Sequence, residues 1–417
     1  MTVRVAVVGG RAHAVMYARE LDVDVVLVHG ADQHEPAFDA FCERIVHADI
    51  TDADAIFDVL APLHAQRPFV RVITTSEDGA VATAVVAERL GLSGNSVESA
   101  RALKDKALTR AAIRDDAAAV RYEAVHSADE LVAFQAAVGG PVVVKPTDGT
   151  ASANVHVVRE PAQAAVAWER LDAAGRTAAI AEEFLEGPVI SVESFSSEGR
   201  HLVLGYTEYI LNRNLVEVGF KVPSPLALAH DEELRRQTAA LLDAVGLLEG
   251  PSHTEFVITE RGPRLLESHS RMAGGGVPEL VRRAYGRHQS RWFLSVTLGL
   301  EKLPHESPTP IGGSALRFLE PAPGIVADLG DATVLGVPVT RIPRGETVIG
   351  IPRLEDVMDQ PAAVVIQVSE GDEVPEIQIG WDRRMGYVVV SDRDAEAAAR
   401  RCKELHDAVR IRTVPAA

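Results

Sequence analysis

The sequence predicts an α/β and α+β protein of several units, opened by a doubly wound parallel sheet and closed by a small α+β tail. Three observations carry this reading. The chain has 417 residues, more than one core fills, since domains usually run about 100 to 200 residues. Short Val-rich runs alternate with helical stretches near the N-terminus. Strand–turn–strand patterns then dominate the middle, and the prolines from Pro304 to Pro310 mark a linker before a strand-rich tail. The expected units are residues 1–95, 96–186, 187–303 and 304–417.

In the first unit, Val3–Val8, Val23–Val28 and Val70–Thr74 are apolar at nearly every position, as buried parallel strands are. Helices are expected around Ala14–Leu21 and Ala80–Leu90. Gly9-Gly10 follows the first strand but continues Arg11-Ala12-His13 without the spaced glycines of a dinucleotide fingerprint, so a tight turn is the favoured reading. A single helix is expected over Ser99–Arg114, carrying Lys104 and Lys106 near its middle. In the second unit, strands are expected at Ala119–Val125, Pro141–Pro146 and Ala179–Phe184. Ser127-Ala-Asp129-Glu130 has the cap and acidic first turn of a helix start. In the third, Val189–Phe195 pairs with His201–Tyr209 and His253–Thr259 with Arg264–Ser268, each through a turn-rich connection. The tail ends in a helix over Asp394–Val409.

Composition narrows the function classes. The net charge of −18 argues against a nucleic-acid partner, which needs clustered Lys and Arg to neutralise phosphates. Cys42 and Cys402 stand far apart, which indicates neither a disulfide framework nor a thiolate zinc site and fits a reducing cytoplasm. The first apolar run, Val3–Val8, is too short for a signal-peptide core or a membrane span. A homodimer is the default expectation for a soluble chain.

Four local patterns carry chemistry. Glu255 and Glu267 lie on two strands joined by a short turn, so both carboxylates face one side across adjacent strands. Two such acids beside a phosphate suit magnesium, which takes hard oxygen donors and completes its shell with water and phosphate. That strand ends in His269-Ser270-Arg271, and Gly274, Gly275 and Gly276 follow, a cradle for a carboxylate or a transferring phosphate. Lys145-Pro146 ends another strand and is followed by a Gly, Ser and Thr loop whose amides fold over phosphates. Finally, Glu182-Glu183-Phe184-Leu185-Glu186-Gly187 leaves one unit for the next, where backbone groups can meet an adenine edge between Phe184 and Leu185.

Taken in order, Lys106, Lys145-Pro-x-x-Gly149, Glu182-Glu-Phe-Leu-x-Gly187, His253-Thr-Glu255 and Glu267-Ser-His-Ser-Arg271-x-x-Gly-Gly resemble the ATP-grasp superfamily. More narrowly they look like its amino-acid and dipeptide ligase branch, and Thr74-Thr75-Ser76-Glu77 extends the similarity into the first unit. The resemblance implies an ATP-grasp fold and an enzyme that joins a small carboxylate to an amine through an acyl phosphate, using ATP and Mg2+, with Mn2+ as a substitute. It implies that Lys106 and Lys145 bind the α- and β-phosphates, that Ser152 covers them, and that Glu182, Glu183, Phe184 and Leu185 hold adenine. Glu255 and Glu267 are implied as metal ligands, and Arg271 with Gly274, Gly275 and Gly276 as the group holding the acyl phosphate.

Three departures qualify the carry-over. His269 replaces the usual Asn between the metal glutamate and the arginine, and a neutral ring there can coordinate or donate. Val189 stands where relatives place a ribose-binding glutamate; Glu193, on the same strand face, either compensates or touches substrate. Asn154 replaces a loop glycine and tolerates left-handed geometry. Glu217–Pro225 reads equally as a substrate-side loop or a surface crossover. The rival functions are a purine-pathway ligase, a biotin-carboxylase-like activity, and a nucleotide-binding module without catalysis.

Overall fold

The computed structural model describes residues 2–10, 12–30, 38–149, 154–176, 179–331, 335–342, 357, 359–382 and 385–415. Strands β1 (Val3–Val8), β2 (Val23–His29), β3 (Arg44–His47) and β4 (Arg71–Thr74) form a parallel sheet in the order β3-β2-β1-β4. The Val-rich runs are buried on both faces, as the doubly wound reading requires. β3 and the helix Ala53–Gln66 were not expected from the pattern. β3 is short and half-exposed, so it carries no apolar run; the helix is announced only by its cap, Asp52 accepting from the N–H groups of Asp54 and Ala55. The helix expected around Ala14–Leu21 is instead a single turn, Ala12–Val15, followed by turns. The Gly9-Gly10 turn does have positive φ at both positions, and a Cβ on Gly10 would lie 2.5 Å from the Thr75 hydroxyl. It is therefore a site of close packing against the β4 loop.

The helix expected over Ser99–Arg114 is two helices, Val97–Lys104 and Lys106–Ala112. Asp105 ends the first and caps the second, accepting from Ala107 and Leu108. This places Lys106 at a helix start instead of mid-helix, with its N–H donated to the Thr147 carbonyl. In the second unit the three expected strands, β5 (Tyr122–Val125), β6 (Val142–Lys145) and β8 (Ala179–Glu183), are joined by β7 (His156–Val158), which the pattern does not give, in an antiparallel sheet of order β5-β8-β6-β7. Ser127 caps its helix through Glu130 N–H, and Glu130 answers by accepting from His126 N–H.

Strands β9 (Val189–Ser197), β10 (Arg200–Leu211), β11 (Glu217–Val222), β12 (Gly250–Thr259), β13 (Gly262–His269) and β14 (Gly313–Phe318) begin the largest sheet. Then come β15 (Gly324–Asp328), β16 (Val339–Arg341), β17 (Ala362–Ile366), β18 (Glu373–Val374), β19 (Gly386–Asp392) and β20 (Arg412–Val414). The large sheet runs β13-β12-β9-β10-β11-β14-β19-β17-β16, while β18-β15-β20 stand apart. Four strands of the tail thus extend the sheet of the third unit across the Pro304–Pro310 linker. Their core is shared: Phe220 and Leu204 pack with Phe318, Tyr387 and Val389 in one apolar cluster. The opposite face, including Ile190, Val192 and Phe256, is covered by the helix Asp231–Ala244. Glu217–Val222 is a strand inside this sheet. Among the described residues no helix is long and apolar enough to cross a membrane.

The last helix, Ala395–Ala408, docks directly on β14, and Gly313 is the point of closest approach: an added Cβ would lie 2.1 Å from the backbone of Asp394 and Ala395. A backbone neighbour cannot rotate away. Gly313→Ala is therefore expected to destabilise the chain by about 1–3 kcal/mol through overpacking, read as a lowered urea midpoint; an unchanged midpoint would show that this contact relaxes freely.

Candidate active site

The register of β12 on β13 places Glu255 directly opposite Glu267, with a bulge immediately after Glu255. The two carboxylates therefore face one side, as the sequence pattern requires. Around them the fold gathers side chains from segments far apart in the sequence. Lys106, at its helix start, lies 3.4 Å from Glu267 and donates to the Gly149 carbonyl at 2.7 Å, which ties the phosphate-type loop to the acid pair. His269 sits between two carboxylates, Nε2 3.1 Å from Glu267 and Nδ1 3.4 Å from Glu77, and its ring stacks on His253 at 6.2 Å. Arg271 reaches back to the loop after β4, donating from Nε and Nη2 to Glu77 at 3.0 and 2.7 Å.

Charge compensation is local and close. Burial works against the Glu77 carboxylate, but His269, Arg271 and Lys104 outweigh it and hold its pKa at about 2. Burial likewise opposes Glu267, which Lys106, His269 and Lys145 nevertheless keep well below the ordinary carboxylate range. Both acids are thus ionised and already partnered. An arriving phosphate would compete for the same lysines and arginine, and a divalent cation would take over part of their role toward the glutamates.

Lys145, at the end of β6, is buried and paired with Glu182 at 2.8 Å; Arg110 donates to the other oxygen of Glu182 at 2.7 Å. Arg110 also donates to the carbonyls of Leu265 and Leu266 at 2.9 and 2.8 Å, fastening its helix to β13. The Glu182 carboxylate is spent on positioning Lys145 and Arg110. Glu183 points the other way, as strand alternation dictates, to Arg261 at 3.1 Å and Arg121 at 3.5 Å. The N–H groups of Glu183 and Phe184 donate to the carbonyls of Arg121 and Pro141, so they serve the sheet. Phe184 and Leu185 remain half-buried, with the Arg159 guanidinium 5.1 Å from the Phe184 ring.

Glu193 turns inward as well. It is fully buried, and its carboxylate is taken by Ser191, Thr207 and His253, so it is not presented to a ribose or a substrate. Gly274 is open to solvent; Gly275 and Gly276 have positive φ, and Gly276 caps the helix Val277–Tyr285. A Cβ on Gly275 would strike the Phe220 ring at 2.4 Å, so this turn lies against β11. Asn154 does adopt left-handed geometry, with φ of 59°. Ser152 lies outside the described residues.

Sequence reasoning missed Glu77, Arg110 and Tyr209 as members of the constellation. Glu77 had a usable signal, since it follows a parallel strand at its C-terminal end, where α/β sheets bind ligands. Arg110 and Tyr209 had none, because their partners are 72 and 46 residues away in sequence.

The two carboxylates face one another with lysines and an arginine beside them, which fits a magnesium and nucleotide phosphate site; among the described residues no cluster of three His, Cys, Asp or Glu forms an all-protein metal cage. Magnesium bound with phosphates needs no such cage.

The buried Arg110–Glu182–Lys145 cluster predicts an acid dependence. Burial raises the Glu182 pKa but the two cations outweigh it, taking it from the ordinary 4.5 to about 2. Its stabilisation is therefore complete above pH 4.5 and lost as pH falls toward 2. Glu182→Gln should cost about 3–5 kcal/mol at pH 7 by leaving buried cations uncompensated, and its urea midpoint should fall less steeply than that of the wild type over that acid window. Parallel slopes would assign the acid sensitivity to other groups.

Comparison with known proteins supplies the family. Residues 15–94 match the ATP-grasp N-terminal domain and residues 138–279 the ATP-grasp domain. An L-arginine-specific L-amino acid ligase of Bacillus subtilis is 19% identical over 284 residues, 66% of this chain and 68% of that relative. The alanine–anticapsin ligase of Bacillus subtilis is 25% identical over 257 residues, 54% of each. The chain spans about half the length of most of the curated relatives it matches. The crystal structure of an L-amino acid ligase from Bacillus licheniformis shares the fold, with a TM-score of 0.77 at 20% identity over 99% of both chains. An ATP-grasp N-terminal domain over residues 15–94 followed by an ATP-grasp domain over residues 138–279 means that this chain carries the two domains of the ATP-grasp family.

Proposed function

We propose that this protein is an ATP-dependent carboxylate–amine ligase that forms an amide or peptide bond, with an amino acid as one substrate. The observation that carries the proposal is the opposed Glu255–Glu267 pair with Lys106 3.4 Å from Glu267 and Arg271 just beyond the same strand. That arrangement suits phosphoryl transfer to a carboxylate, where negative charge gathers between donor and acceptor. The amino-acid substrate class is supported by the names of the relatives, an arginine-specific amino acid ligase and an alanine–anticapsin ligase.

In this reading Lys106 and Lys145 bind the α- and β-phosphates, each held in place by an acid, Glu267 and Glu182 respectively. Glu255 and Glu267 would hold Mg2+, which when bound would offset charge on the nucleotide phosphates. His269, wedged between Glu77 and Glu267, spaces those acids and stands as a candidate third metal ligand. Arg271 orients the acceptor carboxylate, with Gly274, Gly275 and Gly276 closing around the transferred group. A carboxylate oxygen attacks the γ-phosphorus and ADP leaves; the amine nitrogen then attacks the acyl carbon and phosphate leaves. Glu77 belongs to this step as well, because it fixes the Arg271 guanidinium by two hydrogen bonds.

With amino-acid pairs as substrates, the expected products are ADP and phosphate, resolved by chromatography of the nucleotide pool. AMP with pyrophosphate would rule out an acyl phosphate. Glu267→Gln should lower kcat at least about 100-fold, in the range of losing one transition-state partner, with the circular dichroism spectrum retained; near-wild-type turnover at saturating magnesium would remove Glu267 from the site. His269→Asn is expected to keep substantial activity, measured with substrates and magnesium saturating; loss of turnover in a variant that still folds would make the ring essential.

A further inference from the structure

Beneath the acid pair, buried polar side chains form a continuous line across three strands. Ser191 and Thr207 both donate to Glu193 Oε1, at 2.6 and 3.3 Å. Both oxygens of Glu193 lie 3.1 Å from His253 Nδ1. On the other side of the ring, Nε2 lies 3.0 Å from Glu255 Oε1 and 3.1 Å from the Tyr209 hydroxyl, which itself donates to Glu255 Oε1 at 3.0 Å. Glu193 is 0% and His253 3% exposed.

Stability alone does not account for this line. Replacing a buried ionic group by an apolar one of similar volume is often neutral or favourable, so burial of Glu193 and His253 is weak evidence for a stabilising role. What the line does achieve is geometric. His253 Nε2 and the Tyr209 O–H converge on one oxygen of Glu255, while among the described residues Oε2 receives no protein hydrogen bond. The arrangement matches the general pattern in which a partner outside the coordination sphere orients a ligating carboxylate.

We propose that His253 is a positioning residue: anchored by Glu193, it fixes Glu255 Oε1 and leaves Oε2 to meet a divalent cation. The proposal rests on the reading of Glu255 as a metal ligand and deepens it. His253 itself touches neither cation nor substrate.

The test is direct binding of Mn2+ to the full chain at saturating ADP, followed by electron paramagnetic resonance, alongside ADP binding without metal and thermal unfolding. His253→Leu and Glu193→Gln are each expected to weaken Mn2+ affinity about 10- to 100-fold, while metal-free ADP affinity stays unchanged. A purely structural strut would lower the melting temperature without moving Mn2+ affinity in the folded protein. Should His253→Leu fail to fold, the isosteric Glu193→Gln decides. Glu255→Gln separates the two levels. If it abolishes Mn2+ binding while folded His253 and Glu193 variants stay within twofold of wild type, the positioning role is overturned and the metal reading stands. If Glu255→Gln binds Mn2+ normally, the metal reading fails and the inference falls with it.

Discussion

The register of β12 against its two neighbours is the constraint on which the site depends. Pairing with β13 sets Glu255 opposite Glu267, and pairing with β9 sets His253 opposite Glu193. Side chains alternate along a strand, so a slip of one residue on either side would turn these groups to the opposite face, where Ile190, Val192 and Phe256 are packed under a helix. Register is strongly specified because both faces of this sheet are buried. The same apolar packing that stabilises the sheet therefore aligns the carboxylates.

Electrostatics then organises the rest. The cations proposed to meet the phosphates and the acceptor carboxylate are each held by a carboxylate: Lys106 by Glu267, Lys145 by Glu182 and Arg271 by Glu77. Such pairing fixes long, flexible side chains that would otherwise lose rotamer freedom on meeting a ligand. It also explains how a chain of net charge −18 can present a polyanion site. The local balance of acids and bases matters at these distances, because buried pairs are screened little.

The units of the chain meet at these pairs. Glu77 comes from the loop after β4 of the parallel sheet, and Arg271 from the end of β13 in the large sheet. Arg110 joins its helix to β8 through Glu182 and to β13 through two carbonyls. Each contact thus couples a boundary between sheets to a residue of the site, so the geometry of the site and the packing of the units are one problem.

Much of this was legible in the sequence. The Val-rich runs determined the parallel sheet, the Ser127 cap and acidic first turn determined a helix start, and the spacing of Glu255 and Glu267 across a short turn determined that the two acids share a face. Local rules suffice there because strand alternation and capping act over a few residues. Tertiary structure decided what local rules cannot reach. Asp105 splits one expected helix into two because Lys106 N–H finds the Thr147 carbonyl. Glu182 and Glu193, read as ligand contacts, turn inward because Arg110, Lys145 and His253 arrive from distant segments. The strands of the tail complete the large sheet because β14 pairs with β11. A side chain's direction within a fold depends on which charges surround it, and those charges come from residues that lie far apart in the sequence.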